Sequence, residues 1–462
     1  MVHKRLDVDV SWRPRTLSDL VSRPPFFMRS LFEINPFAAE TLLQLSRLPH
    51  RYGFAFVALG SAPHLLEFEA SGAFDTVSRG DGFDHVDPAA ALTRSVFEML
   101  ERVWSTAVPD DLVVGGYDDL AGRSLDPRSF ALLSAEELGS TGERFVPYRS
   151  DLPLAWTPAQ RIAGGGTLIG TLLPALFVFT GFGTRFPGQR MVPMLSPGLA
   201  AGTRYDDALL GAICEVIERD AFAVAWLFRQ PPPRIVAAAD LLPPPAAEVI
   251  AQLVADGFEV NFHDLTRDIA VPIALCAIRD IARGDDTTTV LGLGCHPRPS
   301  EAVAKSLREA MLLMANRYEF TAGTDVIRKP RATDAPPSRR AALADFLSSP
   351  RQSQCAWAPS DRRSADLDMP ALLLRTLDSV AAAGQDIYFC DLTPAAVANA
   401  GRFVLVRALI PGLQPHLYEP DCWRLDSPRL LQVARQLGLG GDRVTPDMIN
   451  RELNPFAEDT AA

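Results

Sequence analysis

Between Asp206 and Phe228 the chain reads DDALLGAICEVIERDAFAVAWLF, with no proline and no turn cluster. Leu209, Leu210, Ile213, Val216, Ile217, Phe222 and Trp226 fall on nearly every side of the helix this stretch predicts. A helix apolar almost all round belongs inside a core, not on a surface. Glu215, Glu218 and Arg219 lie in the middle of it, and buried charges require partners. The chain must therefore build enough structure to enclose that helix on several sides. With 462 residues, 47% of them apolar, it has the material to do so.

Two further helices are predicted around it. The first opens at Asp87 as N-cap, with Pro88 at the first helical position, and continues AAALTRSVFEMLERVW at helical spacing. The third is announced by Ser300 and Glu301 and runs through EAVAKSLREAMLLMANRYEF. For the central helix, Thr203 with Asp206 three residues on predicts a capping-box-like start. FEVNFHDL, IAVPIALCAI, TTTVLGLG, DIYFCDL and RFVLVRALIPGL read as strands. Helices interleaved with strands predict a mixed α/β (α+β) fold. Residues 1–75 read as an N-terminal accessory region with a helical pattern around Ala38 to Leu48, and 76–462 as the main unit. The Pro-, Ser-, Ala- and Arg-rich segment 329–368 reads as a mobile insertion. Two short repeats suggest internal duplication: Glu98-Met-Leu-Glu101-Arg102 against Glu215-Val-Ile-Glu218-Arg219, and FHDLT (262–266) against FCDLT (389–393).

Composition removes several function classes. The net charge of −11 argues against a general nucleic-acid binder, which needs a basic surface. The six cysteines are scattered without CxxC or Cys/His pairing, so neither a zinc site nor a disulfide scaffold is indicated. No apolar stretch follows the basic start, so no secretory signal is read, and Leu168 to Phe179 is too short to span a bilayer. The expectation is a cytoplasmic protein with no membrane contact.

Positions three and four apart share a helix face, so Ser95, Glu98, Glu101 and Arg102 project together, as do Glu215, Glu218 and Arg219. A Glu–Arg pair at that spacing is ordinarily a solvated couple worth about 0.3–0.5 kcal/mol. In a buried helix the like charges need a cation between them. Four carboxylates from two facing helices would form an all-oxygen cage suited to Mg²⁺, shared with phosphate, and the arginines could hold phosphate oxygens directly. No GxxxxGK[ST] or GxGxxG phosphate loop is present. His85, His263 and His296 have no fixed partners and read as structural. Gly198 and Gly202 fit either a phosphate approach or a tight turn.

Ser95-Val-Phe-Glu98-Met-Leu-Glu101-Arg102 is SxxExxER, and with SPGLAAGTRYDDALLGAICEVIERDAF it resembles the two nucleotide-binding signatures of the YcaO family. Weaker similarity runs over roughly 75–455. The resemblance implies a YcaO-type nucleotide-binding fold, with a catalytic domain over 76–462, and ATP- and Mg²⁺-dependent activation of a peptide backbone amide. In such cyclodehydratases a Cys, Ser or Thr side chain attacks the preceding carbonyl and ATP phosphorylates the oxyanion. Loss of phosphate then leaves a thiazoline or oxazoline. By position, Glu98, Glu101, Glu215 and Glu218 match the magnesium-coordinating carboxylates. Ser95, Arg102 and Arg219 fall among the nucleotide-site residues, and Arg102, Arg219 and Glu309 are the candidate catalytic residues. The implied partners are a ribosomally made precursor peptide, a ThiF-like or leader-recognition protein, a downstream flavin dehydrogenase and a second copy of the chain.

Three positions depart from the family pattern. Gly80-Asp81-Gly82 stands where Gly-Lys-Gly is common, the glutamine expected after Glu309 is replaced within Met311-Leu312-Leu313, and the chain closes NPFAEDTAA rather than in a proline-rich tail. Thioamide or amidine formation by the same activation, and a non-catalytic scaffold, are the alternative expectations.

Overall fold

The computed structural model describes residues 43–46, 53–61, 77–281, 289–320, 326–328, 337–348, 353–357, 367–393, 404–416, 419 and 421–450. Helix α1 (Pro88–Ser105) lies on a three-stranded antiparallel sheet of β1 (Leu43–Ser46), β2 (Phe54–Ser61) and β3 (Val77–Asp84). The helical pattern read around Ala38 to Leu48 is overturned at its centre, where Leu43–Ser46 is a strand paired with β2. Tertiary pairing overrides the local period. Two glycines set how closely α1 approaches β3: a Cβ at Gly80 would lie 2.0 Å from the Ser95 carbonyl oxygen, and one at Gly82 2.0 Å from that of Ala91. Backbone meets backbone along this seam.

Helix α2 (Tyr205–Leu227) is the buried helix anticipated above, and two sheets enclose it. One is antiparallel, in the order β4 (Val113–Gly115), β5 (Leu154–Ala163), β13 (Ile387–Asp391), β14 (Val404–Leu409), β7 (Leu199–Gly202), with β6 (Thr167–Pro174) also on β5. The other runs β11 (Val290–Cys295), β10 (Ile273–Asp280), β9 (Phe258–Asp264), β8 (Arg234–Val236), β12 (Gln354–Ala356), where only β12 is parallel to its neighbour. Val406 and Ala408 of β14 share one apolar core with Ile213, Ile217 and Phe222 of α2 and with Leu291 and Leu293 of β11. The capping box expected from Thr203 is not formed. Arg204 occupies the N-cap without a side-chain cap bond and pairs with Asp206 at 2.6 Å, which removes that carboxylate from capping.

Helix α4 (Pro299–Arg317) covers β11 on its other side and begins one residue before the expected Ser300. Helix α3 (Pro244–Ala255) precedes β9 and packs into the same core through Val249 and Leu253. The segment read as a mobile insertion contains α5 (Pro337–Ser348), whose Phe346 stacks edge-on against Trp226 at 5.4 Å, and β12. Helices α6 (Met369–Ala382) and α7 (Pro428–Gln436) complete the outer layer.

Two pieces of local structure occur twice. Asp264 accepts the Thr266 amide at 2.8 Å, and Asp391 that of Thr393 at 2.9 Å; each threonine hydroxyl then accepts an amide of the following strand, Ile273 or Leu405. The FHDLT and FCDLT strings are thus the same strand-ending turn. The second repeat is in helix docking. Gly292 and Gly294 of β11 meet α4 at Ser306 as Gly80 and Gly82 of β3 meet α1 at Ser95, and each serine precedes a glutamate by three residues.

Candidate functional site

Five glutamates of α1, α2 and α4 accept backbone amides. Glu98 accepts the Asp81 amide at 2.7 Å, on the strand position between Gly80 and Gly82. Glu309 accepts the Leu293 amide, between Gly292 and Gly294. Glu101 and Glu215, from different helices, accept the Ala201 and Gly198 amides of one segment at 2.7 and 2.8 Å. Glu218 accepts the Cys295 amide at 2.8 Å. Gly198 has a φ of 93°, and a Cβ there would lie 2.3 Å from the Ala408 carbonyl oxygen, so the backbone at this position calls for glycine.

Positive charge is distributed unevenly over this array. Arg219 lies 3.8 Å from Glu215, 3.6 Å from Glu218 and 3.2 Å from Glu309. Lys305 pairs with Glu218 at 2.9 Å. Burial opposes its ammonium, but Glu218 and Glu215 hold it above the ordinary lysine range. The sequence reading missed Lys305; its signal is the SxxE of Ser306 to Glu309 immediately after it. Arg102, itself half exposed, pairs with the more enclosed Glu98 at 2.7 Å across one helical turn. Ser95 is fully buried and donates to the Gly80 carbonyl at 2.7 Å, which fastens helix to strand.

Among the described residues no three His, Cys, Asp or Glu side chains stand close enough together to form an ion cage from protein groups alone, so an Mg²⁺ ion here would be shared with phosphate oxygens. The array divides: Glu98, Glu101 and Glu215 influence one another, while Glu218 and Glu309 share Arg219 and Lys305. Burial pushes Glu98 up from 4.5 to about 7, with Asp81 and Glu215 adding to the rise against Arg102. Burial raises Glu101 well above the carboxylate range, and the neighbouring Glu98 and Glu215 add to it. Burial also raises Glu309, against the pull of Arg219. His263 and His296 are lowered to about 4, chiefly by burial, and remain neutral at neutral pH.

The family model described as YcaO cyclodehydratase, ATP- and Mg²⁺-binding, matches residues 84–414. The chain belongs to the YcaO family. A relative from the tfuA 3′ region of Rhizobium leguminosarum bv. trifolii is 25% identical over 57% of this chain and 62% of its own length. A heterocyclase in complex with substrate and cofactor superposes with a TM-score of 0.66 at 17% identity, covering 90% of this chain and 54% of that one. The YcaO protein of Methanopyrus kandleri bound with AMPPCP and Mg²⁺ superposes with a TM-score of 0.55 at 18% identity, over 84% and 88% of the two chains. These likenesses show the YcaO fold. The match spans less than two thirds of the Rhizobium relative and about half of the heterocyclase.

The residues present suit the ligands of a YcaO protein. Glu98, Glu101 and Glu215 are hard oxygen donors that act on one another, and a divalent ion among them would offset the burial that raises Glu98 and Glu101. Glu218 Oε1 is buried without a hydrogen-bond partner, with Arg219 3.6 Å away. The departures have physical forms. Asp81 adds negative charge beside Glu98, and Leu312 and Leu313 are packed into the apolar core. The closing NPFAEDTAA lies outside the described residues. No helix among the described residues is long and apolar enough to cross a membrane.

The raised Glu98 has a pH signature. Between about 4.5 and about 7 the folded protein holds a proton that the unfolded chain has lost, so this contribution favours folding in acid and disappears as pH rises through about 7. The metal-free protein is expected to lose thermal stability from about pH 5.5 to about pH 8 more steeply than Glu98→Gln, and Mg²⁺ is expected to flatten the wild-type slope. Parallel melting-temperature curves for the two proteins would show that Glu98 carries no such proton.

Proposed function

We propose that this chain uses ATP to activate a backbone amide of a ribosomal precursor peptide and cyclodehydrates a Cys, Ser or Thr to an azoline ring. The observation that carries this reading is the array itself: five glutamates from three helices, each braced on a backbone amide, three of them within 4 Å of Arg219. Glu98, Glu101 and Glu215 would hold Mg²⁺, which supplies charge neutralisation for transferring phosphate when bound. Arg219 and Lys305 would bind phosphate oxygens, with Glu218 and Glu309, their ion-pair partners, orienting them. The amide oxygen is a poor leaving group; phosphorylation converts it to a good one, and the substrate heteroatom closes the ring. The heterocyclase neighbour with its substrate and the YcaO neighbour with AMPPCP and Mg²⁺ support this choice of ligands.

The test is mass spectrometry of the peptide with purified protein, ATP, Mg²⁺ and any leader-recognition partner. Loss of one water per ring with matching ADP release is expected, and Glu218→Ala is expected to abolish both. A gain in mass would indicate oxygen-for-sulfur exchange. Unchanged peptide, or full complex activity in Glu218→Ala, would instead leave a scaffold role.

A further inference from the structure

Beside α2, on the side of Arg219, a cavity of about 80 Å³ extends to the segment following β14. Its walls are mostly apolar, with Phe130, Phe177 and Leu409 among them, and its polar groups include Arg407, Arg424 and Gln414. All three polar residues are more than nine-tenths buried. Arg407 donates to the carbonyls of Leu195 and Ser196, and its Nε has no hydrogen-bond partner. Arg424 donates to the Pro193 carbonyl. Gln414 donates through Nε2 to the Trp423 carbonyl at 2.9 Å, leaving Oε1 buried without a donor. Among the described residues neither arginine has an ion-pair partner within 4.0 Å; Glu215 acts on Arg407, and Glu137 and Glu419 on Arg424, from beyond that distance. Burial lowers both guanidinium groups to about 10.

Two buried cations bonded only to neutral carbonyls ask for an anion, and the orphaned amide oxygen asks for a donor. The apolar walls ask for a hydrocarbon stem. We infer that this cavity binds a carboxylate on a short apolar stem with an amide N–H next to it. The carboxylate faces Arg407 and Arg424, the N–H donates to Gln414 Oε1, and the stem lies on Phe130, Phe177 and Leu409. Inorganic phosphate would leave oxygens against those walls, and a free amino acid would place an ammonium among arginines. That the carboxylate arrives on a peptide, as an acidic side chain or a C-terminus, rests on the proposed function; the carboxylate chemistry does not. Because Arg219 borders both the cavity and the glutamates, a residue anchored here would stand beside the amide to be activated.

Titration calorimetry with the full chain, without nucleotide, tests this independently of any turnover. N-acetyl-L-leucine presents a C-terminal carboxylate, N-acetyl-L-aspartate N-methylamide a side-chain one, and N-acetyl-L-leucine N-methylamide none. At least one carboxylate probe is expected to bind with Kd on the order of 1 mM, about tenfold or more tighter than the neutral probe. Whichever carboxylate binds identifies the source. Leu195→Trp, at a half-buried lining position, is expected to weaken it about tenfold, and Gln414→Met serves if that variant fails to fold. Equal binding of all three probes, no binding of either carboxylate, or unchanged affinity in the folded variant would overturn the inference.

Discussion

Arg219→Met is expected to abolish ATP turnover and to lower unfolding stability by about 3–5 kcal/mol, because breaking a buried charge network leaves its partners uncompensated. Arg219 is 13% exposed and stands within 4 Å of Glu215, Glu218 and Glu309. Without it, Lys305 is the cation left pairing with Glu218, and Glu309 loses the main influence opposing its burial. Arg219→Lys retains a charge but not the guanidinium, one terminal nitrogen of which stands within 4 Å of all three carboxylates, so an intermediate loss is expected. Urea unfolding near neutral pH measures the stability loss and ADP release the activity. A change below about 1 kcal/mol, the range of exposed pairs, would mean that these carboxylates do not depend on Arg219.

Arg429→Leu should cost a similar amount, about 3–5 kcal/mol, without touching the glutamate array. Arg429 on α7 is 2% exposed. It grips Asp220 through Nε and a terminal nitrogen and Asp268 at 2.6 and 2.7 Å. Asp220 follows Arg219 on α2 and also accepts the Gln414 amide at 2.7 Å. The arginine therefore ties the C-terminal helix to the central one. Adding Asp220→Leu removes the stranded carboxylate, so the double variant is expected to lose less than the sum of the single losses. Strict additivity of the urea midpoints would rule out this coupling.

The central helix was legible because its apolar residues surround it, and SxxExxER was legible because Ser95, Glu98, Glu101 and Arg102 repeat at helical spacing. What encloses the helix was not, since the residues of β11 and β14 that pack on α2 are far from it in the chain. The glutamates were found, but the amides that brace them were not: Ala201 reaches Glu101 and Cys295 reaches Glu218 across long separations, and backbone donors have no side-chain signature. Lys305, Arg407 and Arg429 escaped for a related reason, since their partners are 87 to 212 residues away. Thr203 failed as a cap where its neighbour Arg204 captured Asp206. The strand at 43–46 shows pairing with β2 deciding a segment whose own spacing favoured a helix.

The bracing of the glutamates changes what ligand binding has to accomplish. Glu98, Glu101 and Glu215, restrained by backbone donors, cannot swing apart to relieve their repulsion. Preorganisation of this kind places the reorganisation cost in the folding of the empty protein, leaving little for the encounter with metal and nucleotide. Occupancy should then appear less as movement of the backbone than as slower exchange of the Gly198 and Ala201 amide hydrogens, which report on two helices at once.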